Sequence, residues 1–376
     1  MEIERSLEKE LVKYIKPNKV LVLLGARRVG KTKLLEEFLS KTEEKYLFLN
    51  GDDVDTIHLL EKQSTANYKR LLGTCKLLVI DEAQEVHNIG KKLKLMVDTI
   101  PGLKIIVTGS SAFELNNQTG EPLVGRMKTL HLFPIAQLEF AKQENGIQTQ
   151  GNLEERLVFG SYPELSSLEN RDEKISYLKE MVNNHLLRDI LAFEGIKKRD
   201  KIISLLQMLA FRTGSEISLE SIGKELQISK NTVEKYLDLF SKVFIIYSVS
   251  GFSRNRDNEI TKMKKWYFVD NGIRNAIINA FNPLSMREDV GKLWENYLQS
   301  ERKKKLAYTG KECPDYFWRT HTKQEIDRIE EQNSKLFAYE YKWGNGNVKT
   351  PSEFSKSYPR AKFTLINQVN YLEYIS

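Results

Sequence analysis

Five short apolar runs, at residues 20–24, 46–50, 77–80, 104–108 and 128–133, alternate with stretches of helical spacing through the first third of the chain. The runs are nearly continuous in apolar residues, as in strands covered on both faces, so a parallel sheet flanked by helices is expected. From 151 to 210 strand character fades and apolar residues take helical spacing, as in Ile175, Leu178, Met181, Val182, Leu186 and Leu187. This segment reads as a helical lid or connector. Residues 211–280 carry a helix-turn-helix pattern, and residues 287–376 a helix followed by short strands. There is no internal repeat and no low-complexity tract. The fold class is α/β, with divisions expected at 1–140, 141–210, 211–285 and 286–376.

Composition narrows this picture in three ways. A length of 376 residues exceeds one typical domain, and 40% apolar with 29% charged residues excludes collagen-like, coiled-coil and wholly disordered chains. Cys75 and Cys313 lie far apart, which supports neither a disulfide framework nor a cysteine zinc site and fits a reducing cytoplasm. The opening Met1-Glu2-Ile3-Glu4 lacks the basic-then-apolar order of a signal peptide, and the apolar runs are strand-length, so no membrane span is expected. The net charge of +7 lies wholly in the second part: residues 1–200 hold 30 basic and 30 acidic side chains, leaving 28 and 21 for residues 201–376. Such an excess suits a polyanion partner, or a solvated lysine surface.

Candidate chemistry begins after the first strand. Gly25-Ala26-Arg27-Arg28-Val29-Gly30-Lys31-Thr32 fits G-x-x-x-x-G-K-[ST] at every fixed position, and Lys33 opens the helical stretch that follows. Glycines let such a loop turn tightly, so that its N–H groups and the helix N-terminus face phosphate oxygens. Lys31 would then reach the β- and γ-phosphates of ATP and Thr32 a Mg²⁺ ion. The third run ends in Asp81-Glu82, with Asp81 expected in the Mg²⁺ shell and Glu82 as the residue that orients or deprotonates the attacking water. The fourth ends in Thr108-Gly109-Ser110-Ser111, placing hydroxyls at the sheet's carboxyl edge. Thr108 or Ser110 would sense the γ-phosphate or the water, unless the serines only cap the next helix. Arg126, before the fifth strand, stands where an arginine finger would reach a neighbouring subunit's nucleotide, and equally where a surface arginine would.

On these residues the chain resembles AAA-type P-loop ATPases over 20–140. With Asp81-Glu82-Ala83-Gln84, Gly125-Arg126, Phe133-Pro134-Ile135, Gly160-Ser161-Tyr162-Pro163-Glu164 and Arg188-Asp189-Ile190, nearly all of it resembles a prokaryotic AAA ATPase family whose C-terminal half is a domain of unknown function with a restriction-nuclease-like core. The resemblance implies ATP binding, with Arg188 as a candidate second sensor.

In the second half, residues 218–237 read as two helices about a turn, with Leu219, Ile222, Leu226, Ile228, Val233 and Leu237 packing the corner. The second helix, capped by Ser229, would expose Lys230, Asn231, Thr232 and Lys235 to a DNA major groove. Arg254, Arg256, Lys262, Lys264 and Lys265 then suggest a winged helix with a basic wing, so DNA contact is expected through 218–265, although winged helices also serve as lids and docking modules. Beyond it, a helix with Glu295, a strand with Asp327 and a strand with Glu340 and Lys342 resemble the PD-(D/E)xK nuclease arrangement. There Asp327 and Glu340 would share a Mg²⁺ and Lys342 would polarise a phosphate or activate water. Arg328 stands where an apolar residue is expected and argues against a buried strand.

The expected fold is thus a P-loop NTPase parallel sheet with a helical lid, then a winged helix and a small α/β nuclease-like domain. The expected function is ATP hydrolysis whose nucleotide state moves DNA- or partner-binding modules. A slow nucleotide switch and an ATP-gated nuclease are the alternatives, and a finger acting in trans would require a homo-oligomer.

Overall fold

The protein is described from a computed structural model, over residues 3–110, 123, 125–192, 199–253, 264–311, 313–344, 346 and 348–376. It divides into two compact units, residues 4–133 with 242–244, and the remainder. Ser111, Arg254, Arg256 and Lys262 lie outside the described residues, as do the side chains of Arg188 and Asp189.

In the first unit β1 (Lys19–Leu24), β2 (Tyr46–Asn50), β3 (Leu77–Asp81), β4 (Lys104–Gly109) and β5 (Met127–His131) form a parallel sheet in the order β2-β3-β4-β1-β5. β1, β3 and β4 are the inner strands, and 20–24, 77–81 and 105–109 are buried throughout. Val20, Val22 and Leu24 alternate into a core shared with Leu78, Ile80, Ile105 and Val107, which the Ile89–Thr99 helix covers with Leu93, Met96 and Val97. β2 departs from the two-face expectation: as an edge strand it leaves Tyr46 and Phe48 exposed. The carboxyl ends of β1, β3 and β4 therefore lie side by side, with Leu24 opposite Gly109 and Ile80 opposite Val107.

The second unit holds a six-stranded mixed sheet, β11-β10-β9-β8-β6-β7, formed by β6 (Ile246–Gly251), β7 (Lys264–Phe268), β8 (Asp315–Arg319), β9 (Glu325–Gln332), β10 (Lys335–Tyr341) and β11 (Lys362–Ile366). The β6–β7 hairpin, read from sequence as a wing, joins the C-terminal strands through Ser250 opposite Tyr316 and Gly251 opposite Phe317. The segments expected from sequence to form a winged helix and a separate nuclease-like domain thus share one sheet. The helix-turn-helix spans Leu219–Leu226 and Lys230–Lys242, each capped by a serine: Ser218 Oγ accepts from Ser221 N at 3.2 Å and Ser229 Oγ from Thr232 N at 3.1 Å. Ile222, Leu226, Val233 and Leu237 are buried in it, while Leu219 and Ile228 are half-buried. Leu178, Met181, Val182, Leu186 and Leu187 of the connector are also buried. Among the described residues no helix is long and apolar enough to cross a membrane.

Two devices fasten this unit. Asp270, buried, accepts from Ser161 N and Gly272 N at 2.8 Å and from Ile273 N at 3.2 Å, capping the Asn271–Ile277 helix and holding the Gly160-Ser161-Tyr162 turn. Burial pushes its carboxyl up, against the pull of Lys304 and the three N–H donors. Asp289 takes Arg274 Nη1 at 2.5 Å and Arg287 Nε at 2.8 Å. Burial alone would raise its pKa, but these two guanidinium groups outweigh it and hold the carboxyl down at about 2. A carboxyl held below its ordinary 3.8 contributes stability that is complete above pH 4 and lost as pH falls toward 2. Asp289→Asn is therefore expected to lower the melting temperature at pH 6 by an amount worth at most about 2 kcal/mol, with the gap from the wild type closing by pH 2. Melting curves of the two proteins across that range check it.

Candidate functional site

β1 delivers the chain into the glycine loop, and the Lys31–Ser40 helix takes it out. The loop needs its glycines. A Cβ on Gly25 would lie 2.3 Å from the Leu132 carbonyl oxygen, and Gly30 has φ +93°, in the left-handed region. Ala26 and Val29 are buried, Arg27 and Gly30 half-buried, and Arg28, Thr32 and Lys33 exposed. Underneath, the Arg5 guanidinium is buried and donates to the Val29 carbonyl at 2.7 Å and the Phe133 carbonyl at 2.6 Å, tying the loop to the segment after β5. Sequence reasoning missed Arg5, since nothing local marks a contact 128 residues away.

The side chains singled out in the loop and at the strand ends converge. Lys31 is only 4% exposed; its ammonium donates to the Gly25 and Ala26 carbonyls at 3.1 Å and lies 3.9 Å from Glu82 Oε1. Thr32 Oγ1 donates to Asp81 Oδ2 at 2.7 Å, and Thr108 donates to Asp81 Oδ1. Thr108 Oγ1 also accepts from Glu82 N at 2.9 Å, so this fully buried hydroxyl fixes both carboxylate residues at once. Glu82 adopts a left-handed backbone with φ +46°, which turns its side chain out of strand register. Gly51 makes room for that turn, for a Cβ there would sit 2.3 Å from the Glu82 carbonyl oxygen. Gln84 Nε2 donates to Glu82 Oε2 and stands 3.5 Å from Ser110 Oγ. In the sequence Gln84 stands out only as part of the Asp81-Glu82-Ala83-Gln84 tetrapeptide. Arg126 stands apart from this group, with its Nε 2.6 Å from Asp98 Oδ1 and its side chain 42% exposed.

The arrangement suits a nucleoside triphosphate with Mg²⁺. A buried ammonium, a glycine cradle at a helix N-terminus, and a hydroxyl beside a carboxylate are the donors and acceptors that phosphate oxygens and a hard cation require.

In the second unit, Glu295, Asp327, Glu340 and Lys342 fall on the Val290–Tyr308 helix, on β9, on β10 and just after it. Asp327 Oδ2 accepts from Tyr341 N at 2.8 Å, and Lys342 Nζ pairs with Glu340 Oε1 at 3.4 Å. Burial pushes the Asp327 carboxyl well up, with Glu295 and Glu340 adding to the shift and Lys265 opposing it; burial also raises Glu340, against Lys342. Among the described residues no group of three or more His, Cys, Asp or Glu is placed to hold a metal ion. Two expectations change here. Arg328 does not expose its strand: it is 1% exposed and paired with Asp315 at 3.0 Å, Glu330 at 2.7 Å and Gln299 Oε1 at 2.6 Å. Lys265 is no part of a solvent-facing basic wing; it is buried against Glu295 and Glu325, whereas Lys264 is exposed. On the helix-turn-helix Asn231 and Lys235 are exposed, Thr232 is half-buried, and Lys230 pairs with Glu220 at 2.6 Å.

Comparison with known proteins agrees on the first unit. Residues 17–141 match a family model described as an AAA domain, residues 150–284 a domain of unknown function (DUF8612) and residues 290–372 another domain of unknown function (DUF4143). An uncharacterized protein of Methanocaldococcus jannaschii is 27% identical over 322 residues, covering 81% of this chain and 70% of its own. One of Mycobacterium tuberculosis is 23% identical over 337 residues, covering 89% and 71%. A solved Thermotoga maritima RuvB variant aligns with 65% of this chain and 89% of its own at 13% identity and a TM-score of 0.33, too low to carry any argument. The glycine loop and the Asp81–Thr32 pair both lie within residues 17–141, the stretch that matches the AAA-domain model.

Proposed function

We propose that the protein binds and hydrolyses MgATP at the glycine loop, and that its nucleotide state is coupled to the second unit and a partner there. The observation that carries this reading is Thr32 Oγ1 at 2.7 Å from Asp81 Oδ2, beside a buried lysine that lies 3.9 Å from Glu82. Thr32 and Asp81 would hold Mg²⁺, and the loop amides with Lys31 would bind the phosphates. When bound, Mg²⁺ neutralises charge on the β- and γ-phosphate oxygens. Glu82, held by Gln84, would take a proton from water as the water oxygen bonds the γ-phosphorus and the bond to the β–γ bridging oxygen breaks, leaving ADP and phosphate. Thr108 would keep Asp81 and Glu82 in place, and Ser110, 3.5 Å from Gln84, would be the hydroxyl left to sense the γ-phosphate or the water. Arg126 would stabilise charge in trans only within a homo-oligomer, after exchanging its Asp98 partner.

The partner surface would include Asn231, Lys235 and Lys264, a set able to meet DNA phosphates. The reading places the protein with the MgATP pool of the cytoplasm. The test is nucleotide binding: Lys31→Ala is expected to weaken MgATP binding at least about tenfold, the loss of one charge-assisted phosphate contact. Fluorescence titration with a labelled ATP measures it, and equal affinities in the two proteins contradict the assignment of the loop.

A further inference from the structure

Lys265 stands directly before an apolar run, Trp266-Tyr267-Phe268-Val269, and is 2% exposed. Its ammonium is hydrogen-bonded to Glu325, stands 3.6 Å from Glu295 Oε1 and lies 5.2 Å from the centre of the Phe317 ring. Two residues along β7, Tyr267 points the same way and donates its hydroxyl to Glu295 Oε1 at 2.7 Å. The Gly214 turn closes over that carboxylate: with φ +74°, a Cβ there would come within 2.9 Å of Glu295 Oε1. Each carboxylate of the nuclease-like set thus already has a partner on the chain. Glu295 has Lys265 and Tyr267, Asp327 has the Tyr341 N–H, and Glu340 has Lys342. A hard divalent cation needs several oxygen ligands turned toward one point together with room for its waters. Here the position beside Glu295 is filled by an ammonium group and walled by backbone.

We propose that Lys265 is the resident counter-ion of Glu295 and Glu325, so that the Glu295, Asp327 and Glu340 set takes no divalent cation and Lys265 instead latches the β6–β7 hairpin to the Val290–Tyr308 helix and to β9. A buried ammonium supplies the positive charge that a metal would bring, without offering coordination sites or an activated water. The C-terminal core accordingly keeps the carboxylates of a nuclease as a structural ion-pair latch.

The direct test titrates nucleotide-free, full-length protein with Mn²⁺ alone by calorimetry. Wild type, Asp327→Asn and Glu340→Gln are expected to give the same isotherm. A Mn²⁺ site present in the wild type and lost in either variant overturns the proposal. In parallel, Lys265→Met is expected to melt about 10 °C below the wild type, as for removal of one partner from a buried ion pair, with Lys265→Arg recovering most of the loss. A Lys265→Met protein that melts with the wild type also overturns it. If Lys265→Met fails to fold, the latch is supported and the Mn²⁺ titration of the wild type still decides the metal question.

Discussion

Glu82→Gln is expected to bind MgATP as the wild type does and to release phosphate about 10²–10⁴-fold more slowly, the usual contribution of a positioned general base. The two halves of this expectation come from different parts of the site. Binding rests on the glycine loop, Lys31, Thr32 and Asp81, and of these only Lys31 loses a partner, the 3.9 Å ion pair with Glu82, when the carboxylate becomes an amide. Turnover depends on the carboxylate charge, which the amide cannot supply. The neighbours also keep the substituted side chain in position. Thr108 holds residue 82 through its backbone N–H, and Gln84 can still donate to the remaining side-chain oxygen. Lys31, now 3.9 Å from a neutral group, is freer to serve phosphate, so affinity is expected to stay level or rise. Phosphate release measured beside fluorescent-nucleotide binding separates the two effects.

The second large effect concerns stability. Gly272→Ala would place a Cβ 1.9 Å from the Phe159 carbonyl oxygen and 3.0 Å from Asp270 Oδ1. The obstacle is backbone, so relief requires moving either the Asn271–Ile277 helix or the turn at Gly160, and both are pinned by Asp270. A loss of about 3 kcal/mol is expected, at the upper end for overpacking, which corresponds to roughly 6–12 °C in the melting temperature. Gly291→Ala, where a Cβ meets nothing within 4 Å, is the control and should melt with the wild type or slightly above it. Because Gly272 lies in the second unit, nucleotide binding by the first unit is expected to survive at low temperature.

These expectations show what was legible in the chain beforehand. Inner strands must be apolar on both faces, so 20–24, 77–80 and 104–108 stand out as runs, and the glycine loop follows a strand directly. Everything there is local in sequence. The contacts that sequence does not reach act across long separations: Arg5 on Phe133, Lys265 on Glu325, Asp270 on Ser161. A lysine's formal charge says nothing of its burial, so sequence alone groups Lys265 with the basic surface, although the apolar run directly after it marks a covered strand. Arg328 misled in the same way, because a guanidinium is tolerated in a buried strand once Asp315, Glu330 and Gln299 meet its donors. Gln84 shows a subtler limit. Its spacing from Glu82 was visible, but the left-handed turn at Glu82 that brings the two side chains together was not.

The most direct test of the central claim is steady-state phosphate release from MgATP by the wild type and Glu82→Gln, with nucleotide binding followed on the same samples. Turnover by the wild type that is lost in Glu82→Gln while binding persists is the predicted result. Equal rates in the two proteins, or binding with no turnover by the wild type, would contradict hydrolysis driven by Glu82.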